Sequence, residues 1–488
     1  MRKTLLSSVN AMFFLLLFSS TWYIIVPRTT KKHIEENMSH PEWALKHKQK
    51  NTELRNIRGK YYLYKITHKR IKEKKWPQKI TLGQIGVITE EEGIILTGMK
   101  RKGPVPKGKS VYKEGMQPLE FESSFVDDFA QLSDPRSQRN QLYSVEEILL
   151  VCLCACICGA EGWQDVEDFA KLKIEYLREY LEYTNGTPSD DTYRRFFRNI
   201  DPDEFGKLFR KWVEGIAKKA DAKVIAIDGK SLRRSYDGET KMLHVISAFA
   251  TETRIVLGQE RVSQKSNEIT AIPEMLKWLD VKGHIITIDA MGCQFKIANQ
   301  IKKKGGDYIF SLKGNQSNLS DDVTTHFGAK NIANNITSHV DYDKGHGREE
   351  TRECWVIDDV EWLRKKHPKW STIKSIIKIY SIRESKKTTK EVRYYISSLD
   401  DTPEKILKSI RSHWAIENSL HWVLDMSFNE DYSRIRKGNA PYAMAIIRHV
   451  AINLLQLAKT KRQSIKRLRK MCGWDNNTLD LVINKNSS

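Results

Sequence analysis

What the chain has little of narrows its class first. No two of its seven cysteines stand three apart, and no histidine lies near the four that alternate at Cys152, Cys154, Cys156 and Cys158. That excludes the paired C-x-x-C spacing of a zinc site. An apolar run that holds four such residues reads as a core helix in a reducing compartment. A long unbroken apolar run is also missing. Residues 11–26 come nearest, but Ser19, Ser20 and Thr21 interrupt them, and they fall short of the roughly 20 residues that a membrane span needs. Arg2 and Lys3 precede this run, Arg28, Lys31 and Lys32 follow it, and no small-x-small cleavage site stands out. Three readings stay open for residues 1–30: a membrane anchor, an uncleaved export signal, or a stretch translated from an upstream start that contributes little. The cytosolic look of everything downstream favours the last. Acidic charge is short too, at 61 Asp and Glu against 82 Lys and Arg, a net charge of +21. Such a balance favours polyanionic partners, nucleic acid before anionic membrane. At 488 residues the chain exceeds what one core fills, so two or three domains are expected.

What is present centres on Val224-Ile225-Ala226-Ile227-Asp228-Gly229-Lys230. Four consecutive apolar residues read as a strand buried on both faces, because a half-exposed strand alternates apolar with polar. The strand then stops at a carboxylate, whose desolvation is tolerated when the charge is paired or holds a cation. The pattern recurs as Ile285-Ile286-Thr287-Ile288-Asp289-Ala290-Met291-Gly292. Either aspartate alone could merely begin a turn. Two strands that each deliver an Asp followed by small residues can set two carboxylates side by side at one sheet edge.

Before these strands the chain changes character twice. Residues 31–120 form a basic extension in which Lys60-Tyr61-Tyr62-Leu63-Tyr64-Lys65-Ile66 and Lys79-Ile80-Thr81-Leu82-Gly83-Gln84-Ile85-Gly86-Val87-Ile88 have strand-like composition. Interleaved Tyr and Lys suit stacking on nucleic acid, and a small basic β-meander accounts for them equally. Residues 102–113, rich in Gly, Pro and Lys, read as a linker. A helical region, residues 121–220, follows. Its first long helix covers residues 143–159 from a Ser144 cap with Glu146 and Glu147 in the first turn. Another is expected to start at Thr187-Pro188, with Pro at the first helical position. On it Arg194, Arg195 and Arg198 share a face that either enters a DNA groove or is simply solvated.

From the first Asp strand onward the elements read β-β-β-α-β-α-β, the order of the ribonuclease-H-like fold. Residues 244–250 and 254–262 form a hairpin, residues 269–279 a helix, residues 294–304 a helix stopped by Gly305-Gly306, and residues 307–312 a fifth strand. A β insertion at about residues 318–400 precedes the next helix, with strands at residues 373–383 and 391–399. That helix runs from Thr402-Pro403 to about Met426. His413, Glu417, His421 and Asp425 recur every fourth residue on one polar stripe, and two Trp among apolar neighbours imply that the helix packs closely. Glu417 is the natural third carboxylate. Asp228, Asp289 and Glu417 together suit two hard divalent cations, Mg2+ with Mn2+ able to substitute. Two ions about 3.5–4 Å apart would activate a water or a DNA 3′ hydroxyl for in-line displacement. Lys313 and Arg411 are candidates to neutralise phosphate charge. An apolar helix at residues 442–457 precedes a basic tail, residues 459–488, in which Lys459, Lys461, Arg462, Lys466, Arg467, Arg469 and Lys470 either touch phosphate or form a solvated face.

These residues carry a family resemblance. The stretch Ile225 to Lys230, Lys265-Ser266-Asn267-Glu268-Ile269-Thr270-Ala271-Ile272-Pro273, Thr287-Ile288-Asp289-Ala290-Met291-Gly292-Cys293-Gln294 and Leu312-Lys313-Gly314-Asn315-Gln316 resemble the DDE transposases of bacterial insertion sequences, in the H-repeat-associated class. So do Arg393-Tyr394-Tyr395-Ile396-Ser397-Ser398 and His413-Trp414-Ala415-Ile416-Glu417-Asn418 with Leu420-His421-Trp422-Val423-Leu424-Asp425. The resemblance spans roughly residues 123–482 and implies that Asp228, Asp289 and Glu417 are the catalytic, metal-binding triad. It implies a ribonuclease-H-like catalytic domain over residues 221–458, a mixed α/β sheet preceded by a helical DNA-binding domain. It also implies double-stranded DNA as partner, both inverted-repeat ends and target. Lys230, Arg194, Arg195, Arg198, Lys313, Arg411, Arg434 and Arg436 are the candidate DNA contacts. Pairing two ends implies a homodimer in the active complex, and the expected place is the cytoplasm, on the nucleoid. One departure stands out: the Lys that some related transposases carry seven residues beyond the catalytic Glu is Leu424 here. Arg58-Gly59-Lys60-Tyr61-Tyr62-Leu63-Tyr64 faintly resembles the start of a different transposase type, which suggests a fused chain. The alternatives are a decayed or domesticated transposase that only binds DNA, a membrane-anchored protein, and a ribonuclease-H-like nuclease without strand transfer.

Overall fold

The computed structural model describes residues 15–18, 21–24, 41–57, 60–69, 78–89, 93–96, 128–137, 141–217, 222–236, 238, 242–262, 267–329, 336–345, 347–385 and 387–483. The chain divides into two compact units, residues 1–110 and 111–488. The linker reading at residues 102–113 and half of the apolar run at residues 11–26 lie outside the described residues. Of that run, β1 (Leu15–Phe18) and β2 (Thr21–Ile24) pair antiparallel. Among the described residues no helix is long and apolar enough to cross a membrane.

In the first unit β3 (Thr52–Ile57), β4 (Lys60–Lys69), β5 (Gln78–Thr89) and β6 (Gly93–Leu96) form one antiparallel sheet in chain order, a meander. Its core holds Ala44, Leu54, Leu63 and Ile88, with the Trp43 ring edge-on to Tyr61 at 5.1 Å.

The second unit is built on a nine-stranded mixed sheet. β7 (Val224–Ser231) lies between β8 (His244–Ala250), which pairs antiparallel with β9 (Ile255–Val262), and β10 (Ile285–Ile288), which runs parallel to it. β11 (Asp307–Leu312) continues the parallel set beside β10. The spatial order β9-β8-β7-β10-β11 is the ribonuclease-H-like arrangement expected from the chain order. The period-2 alternation of β7 sends Ile225 and Ile227 into one core and Ala226 into the other, so the strand is buried on both faces.

The β insertion is no separate layer. β15 (Thr389–Ser397) pairs antiparallel with β11, and β14 (Ser375–Glu384), β13 (Arg348–Ile357) and β12 (Ile336–Gly345) extend the same sheet outward. The hairpin of β12 and β13 escapes a sequence reading because β12 is largely exposed and its few apolar residues, Ile336, Val340 and Tyr342, stand among polar ones.

Helices cover both faces. On one face α1 (Val145–Cys158), α2 (Trp163–Leu172), α3 (Asp190–Asn199) and α4 (Pro202–Ala217) share a core with β8 and β9. On the other, α5 (Glu268–Trp278), α6 (Phe295–Lys303) and α7 (Ser317–Gly328) pack on Ile286, Ile288 and Phe310. α1 starts as its sequence demands: Ser144 accepts the Glu147 N–H and Glu147 returns the bond to the Ser144 N–H, a capping box. Its cysteines are core residues: Cys152, Cys154 and Cys156 are buried, Cys158 is half-buried, and all seven cysteines are free thiols. α3 begins at Asp190, not at Pro188, because Glu167 takes the Asp190 N–H at 2.7 Å and the charges of Asp190 and Asp191 fall in the first turn.

The stretch that bears Glu417 corrects the sequence reading. It begins as α8 (Pro403–Ile416) after Thr402, passes through a π turn at Glu417–His421, and ends as α9 (Trp422–Ser427). Its two tryptophans do not pack inward; Trp414 and Trp422 are 49% and 57% exposed, and the apolar load falls on Ile406, Leu407, Ile410, Ile416 and Leu420. α10 (Ala440–Ala458) is buried along nearly its whole length, and α11 (Ile465–Trp474) and α12 (Asn476–Ile483) place Leu468, Cys472 and Leu479 in the core of α1. Arg469, one of the expected phosphate contacts, is buried there instead. Its guanidinium donates to the carbonyls of Ile157 and Cys156 at 3.2 and 2.7 Å and covers the Phe428 ring at 3.8 Å.

Candidate active site

The register of the parallel pair sets the first two carboxylates. Ile227 of β7 stands opposite Ile288 of β10, so the next residue on each strand is an aspartate. Asp228 is half-buried, with a side chain 18% exposed, and burial pushes its pKa up to about 6 against the pull of His421 and the Gly229 N–H. Its Oδ1 accepts that N–H at 2.9 Å. Asp289 accepts the N–H groups of Met291 and Gly292 at 3.0 and 3.4 Å. Burial raises its pKa too, with Glu268 adding to the rise and the two N–H groups and Lys313 opposing it.

Glu417 completes the set from the helix above. α8 is anchored over β10 where the Thr287 hydroxyl meets the His413 Nδ1 at 3.0 Å. Burial pulls the His413 pKa down to about 4, so its imidazole is neutral at pH 7. Glu417 opens the π turn and His421 closes it. A wide turn of this kind is typical of functional sites. The His421 Nδ1 lies 3.6 Å from Glu417 Oε2 and 3.7 Å from Asp228 Oδ2, and His421 beside it holds the Glu417 carboxyl below its usual range. Ligand atoms of Asp228, Glu417 and His421 all fall within 4.8 Å of one another.

Asp228, Asp289 and Glu417 line one open cavity of about 260 Å³. Lys313 and Arg393 line it as well, so cationic side chains share it with the carboxylates. Arg393 is held in place by Glu391 at 2.7 Å and by the Trp414 ring at 5.3 Å. A second polar chain ends at the Glu268 that raises Asp289: Ser231 Oγ meets His244 Nδ1 at 2.9 Å and His244 Nε2 meets Glu268 Oε1 at 2.6 Å.

Of the basic residues expected at DNA, only Lys313 lines this cavity. Lys230 is corrected: its Nζ is taken by Asp425 at 2.6 Å and Asp431 at 3.3 Å, because a cation 11% exposed needs carboxylate partners where solvent is excluded. Arg411 is likewise held away, on Asp341 at 2.6 Å and Asp343 at 2.8 Å of β12. Arg194, Arg195 and Arg198 are exposed on α3, with Arg194 paired to Asp190 at 2.6 Å. Arg434 and Arg436 are exposed between α9 and α10, the latter donating to the Arg234 carbonyl at 2.9 Å. The sequence reading gave no site role to His421, His413, Glu268, His244 or Arg393. The stripe at every fourth residue pointed to the two on the helix, whereas nothing in the sequence pairs His244 with Glu268.

A family described as Transposase DDE domain matches residues 219–454, and one described as DDE_Tnp_1-associated matches residues 126–213. The protein named "H repeat-associated putative transposase YhhI", of Escherichia coli K12, is 43% identical over 349 residues, which are 70% of this chain and 92% of that one. This chain belongs to the DDE transposase family. A second relative of this transposase, named "Putative transposase YncI", of Escherichia coli O157:H7, is 41% identical over 355 residues, covering 71% and 91% of the two chains. A solved piggyBac transposase synaptic complex with hairpin DNA aligns with 75% of the transposase and 79% of its own chain. Its TM-score is 0.39 and its sequence identity 12%.

Proposed function

We infer that this transposase binds the ends of its own insertion sequence, cleaves there with Mg2+ and joins the freed 3′ ends to target DNA. The observation that carries the reading is the meeting of Asp228, Asp289 and Glu417 in one open cavity at the ends of two parallel strands. The donors suit a hard divalent cation: all are carboxylate oxygens, and Asp228 is half-buried with a single N–H donor and no hydrogen-bonded cation among the described residues. Asp228, Asp289 and Glu417 would hold the metal. Bound there, it supplies an activated oxygen nucleophile and charge neutralisation on the leaving oxygen.

The chain's own residues do the rest. Gly292 and Met291 fix the Asp289 rotamer through their N–H groups, and His413 ties the helix that bears Glu417 to the strand that bears Asp289. Lys313 and Arg393 offer cationic partners to the phosphate on the scissile strand, Arg393 with its fork pre-oriented by Glu391. The exposed arginines of α3 and the exposed cations of α11 contact flanking backbone without reading bases. Two copies act together, since two ends must be paired.

The test is a joining assay. The full chain is incubated with Mg2+, a labelled fragment carrying the element's own end and a supercoiled target plasmid. Labelled end covalently attached to plasmid is the expected product. Cleavage without attachment would reduce the protein to a nuclease, and binding without cleavage would leave a DNA-binding remnant of a transposase.

A further inference from the structure

Beside Asp228 and Glu417 stands a nitrogen donor, and it belongs to the most enclosed side chain of the three. The His421 side chain is 7% exposed, against 18% for Asp228 and 57% for Glu417. Its Nδ1 faces both carboxylates at 3.7 and 3.6 Å, beyond hydrogen-bond length. Ligand atoms that share one cation with bonds of about 2.0–2.2 Å stand roughly 3–3.5 Å apart, so this spacing is close to that of a ligand set.

The other ring nitrogen supplies the second observation. His421 Nε2 is buried and has no hydrogen-bond partner among the described residues, and it faces a separate small cavity of about 10 Å³. Gln259 Oε1 and Nε2 and His449 Nδ1 line that same cavity, and they too are buried and unpartnered. The space is that of about one water, with polar atoms enough to hold it. A ligating histidine ordinarily gives its second ring N–H to a carbonyl, carboxylate or water, which fixes the tautomer and frees the first nitrogen for the metal.

We propose that His421 is a direct ligand of the catalytic cation through Nδ1, beside Asp228 and Glu417, with its Nε2–H held by the polar cavity at Gln259 and His449. The inference rests on the carboxylate reading above and adds to it. An imidazole ligand shifts the preference of the site from Mg2+ toward Mn2+ and later divalent metals, because nitrogen is a poor donor for Mg2+.

Mn2+ alone is the probe, added to the full chain and read by electron spin echo envelope modulation. Wild type is expected to show the 14N coupling of one directly bound imidazole. His421→Ala is expected to lose it and to bind Mn2+ at least about tenfold more weakly, since loss of even an outer partner of a ligand costs about 10–100-fold. Mn2+ held by Asp228 and Glu417 without 14N coupling would overturn the role of His421 and leave the carboxylate site standing. No Mn2+ binding that responds to Asp228→Asn would overturn the metal reading itself. Should His421→Ala fail to fold, His413→Gln decides: coupling that survives it belongs to His421, and coupling that vanishes with it contradicts the proposal.

Discussion

Asp228 carries a cost that its position explains. Burial pushes its pKa up to about 6, so above that pH the cation-free fold holds a charge that the unfolded chain carries more easily. The sign follows: the penalty is absent below about pH 4 and fully present above the folded pKa. In the presence of a chelator at pH 8, Asp228→Asn is therefore expected to stabilise the protein by about 1–3 kcal/mol, a rise of several degrees in Tm. Addition of Mn2+ should then raise the Tm of wild type but not of the variant. Gly229 is constrained for a different reason. A Cβ there would stand 2.1 Å from Glu268 Oε1 and 2.6 Å from His244 Nε2, so Gly229→Ala must break that pair or shift the strand beside Asp228. A loss of about 1–3 kcal/mol is expected in urea unfolding, with reduced cleavage at unchanged DNA affinity.

At the scale of elements, the Asp strands are legible because runs such as Val224 to Ile227 can only be buried on both faces, and the helix with Glu417 is legible from its Pro403 start. The π turn is not, since His413, Glu417, His421 and Asp425 at every fourth residue read as an ordinary α-helical stripe. The basic tail misleads for a related reason: charge does not tell which side of an amphipathic helix a residue faces. Arg469 is buried against α1 and Phe428, while Arg467 is exposed on the same helix. Arg469→Ala is expected to cost about 2–4 kcal/mol by leaving carbonyls unpaired and a ring uncovered, and Arg467→Ala to cost almost nothing. Thermal melts of the two variants distinguish them. Within α10, burial pulls the His449 pKa down to about 3. The fold keeps this ring neutral while the unfolded chain protonates it below about pH 6.5, so stability is lost as pH falls from 6.5 toward 3. Urea midpoints at pH 7.5 and 4.5 should fall by an amount worth roughly 2–3 kcal/mol more in wild type than in His449→Gln.

At the scale of the whole molecule, the core of the fold follows from sequence order, since hairpin, crossover helix and parallel strand leave one arrangement of the five central strands. Its extension to nine strands does not, because edge strands such as β12 need no apolar face to pair. The first unit is a meander with its own small core, and a basic, tyrosine-rich sequence specifies that sheet without specifying a task for it. The three carboxylates were the most legible part of the candidate site because two of them directly follow apolar strand runs, whereas the tie between Thr287 and His413 and the pairing of His244 with Glu268 join distant stretches that only the fold brings together.

The most direct measurement is Mg2+-dependent cleavage of a labelled fragment carrying the element's own end, by wild type and by Asp289→Asn. Asp289 tests the site best, because its partners are the backbone N–H groups of Met291 and Gly292, which an amide oxygen also accepts. The expected result is cutting at the end by wild type and full binding without cutting by the variant. Equal cutting by both would contradict the assignment of Asp289, and with it the reading of this cavity as the catalytic centre.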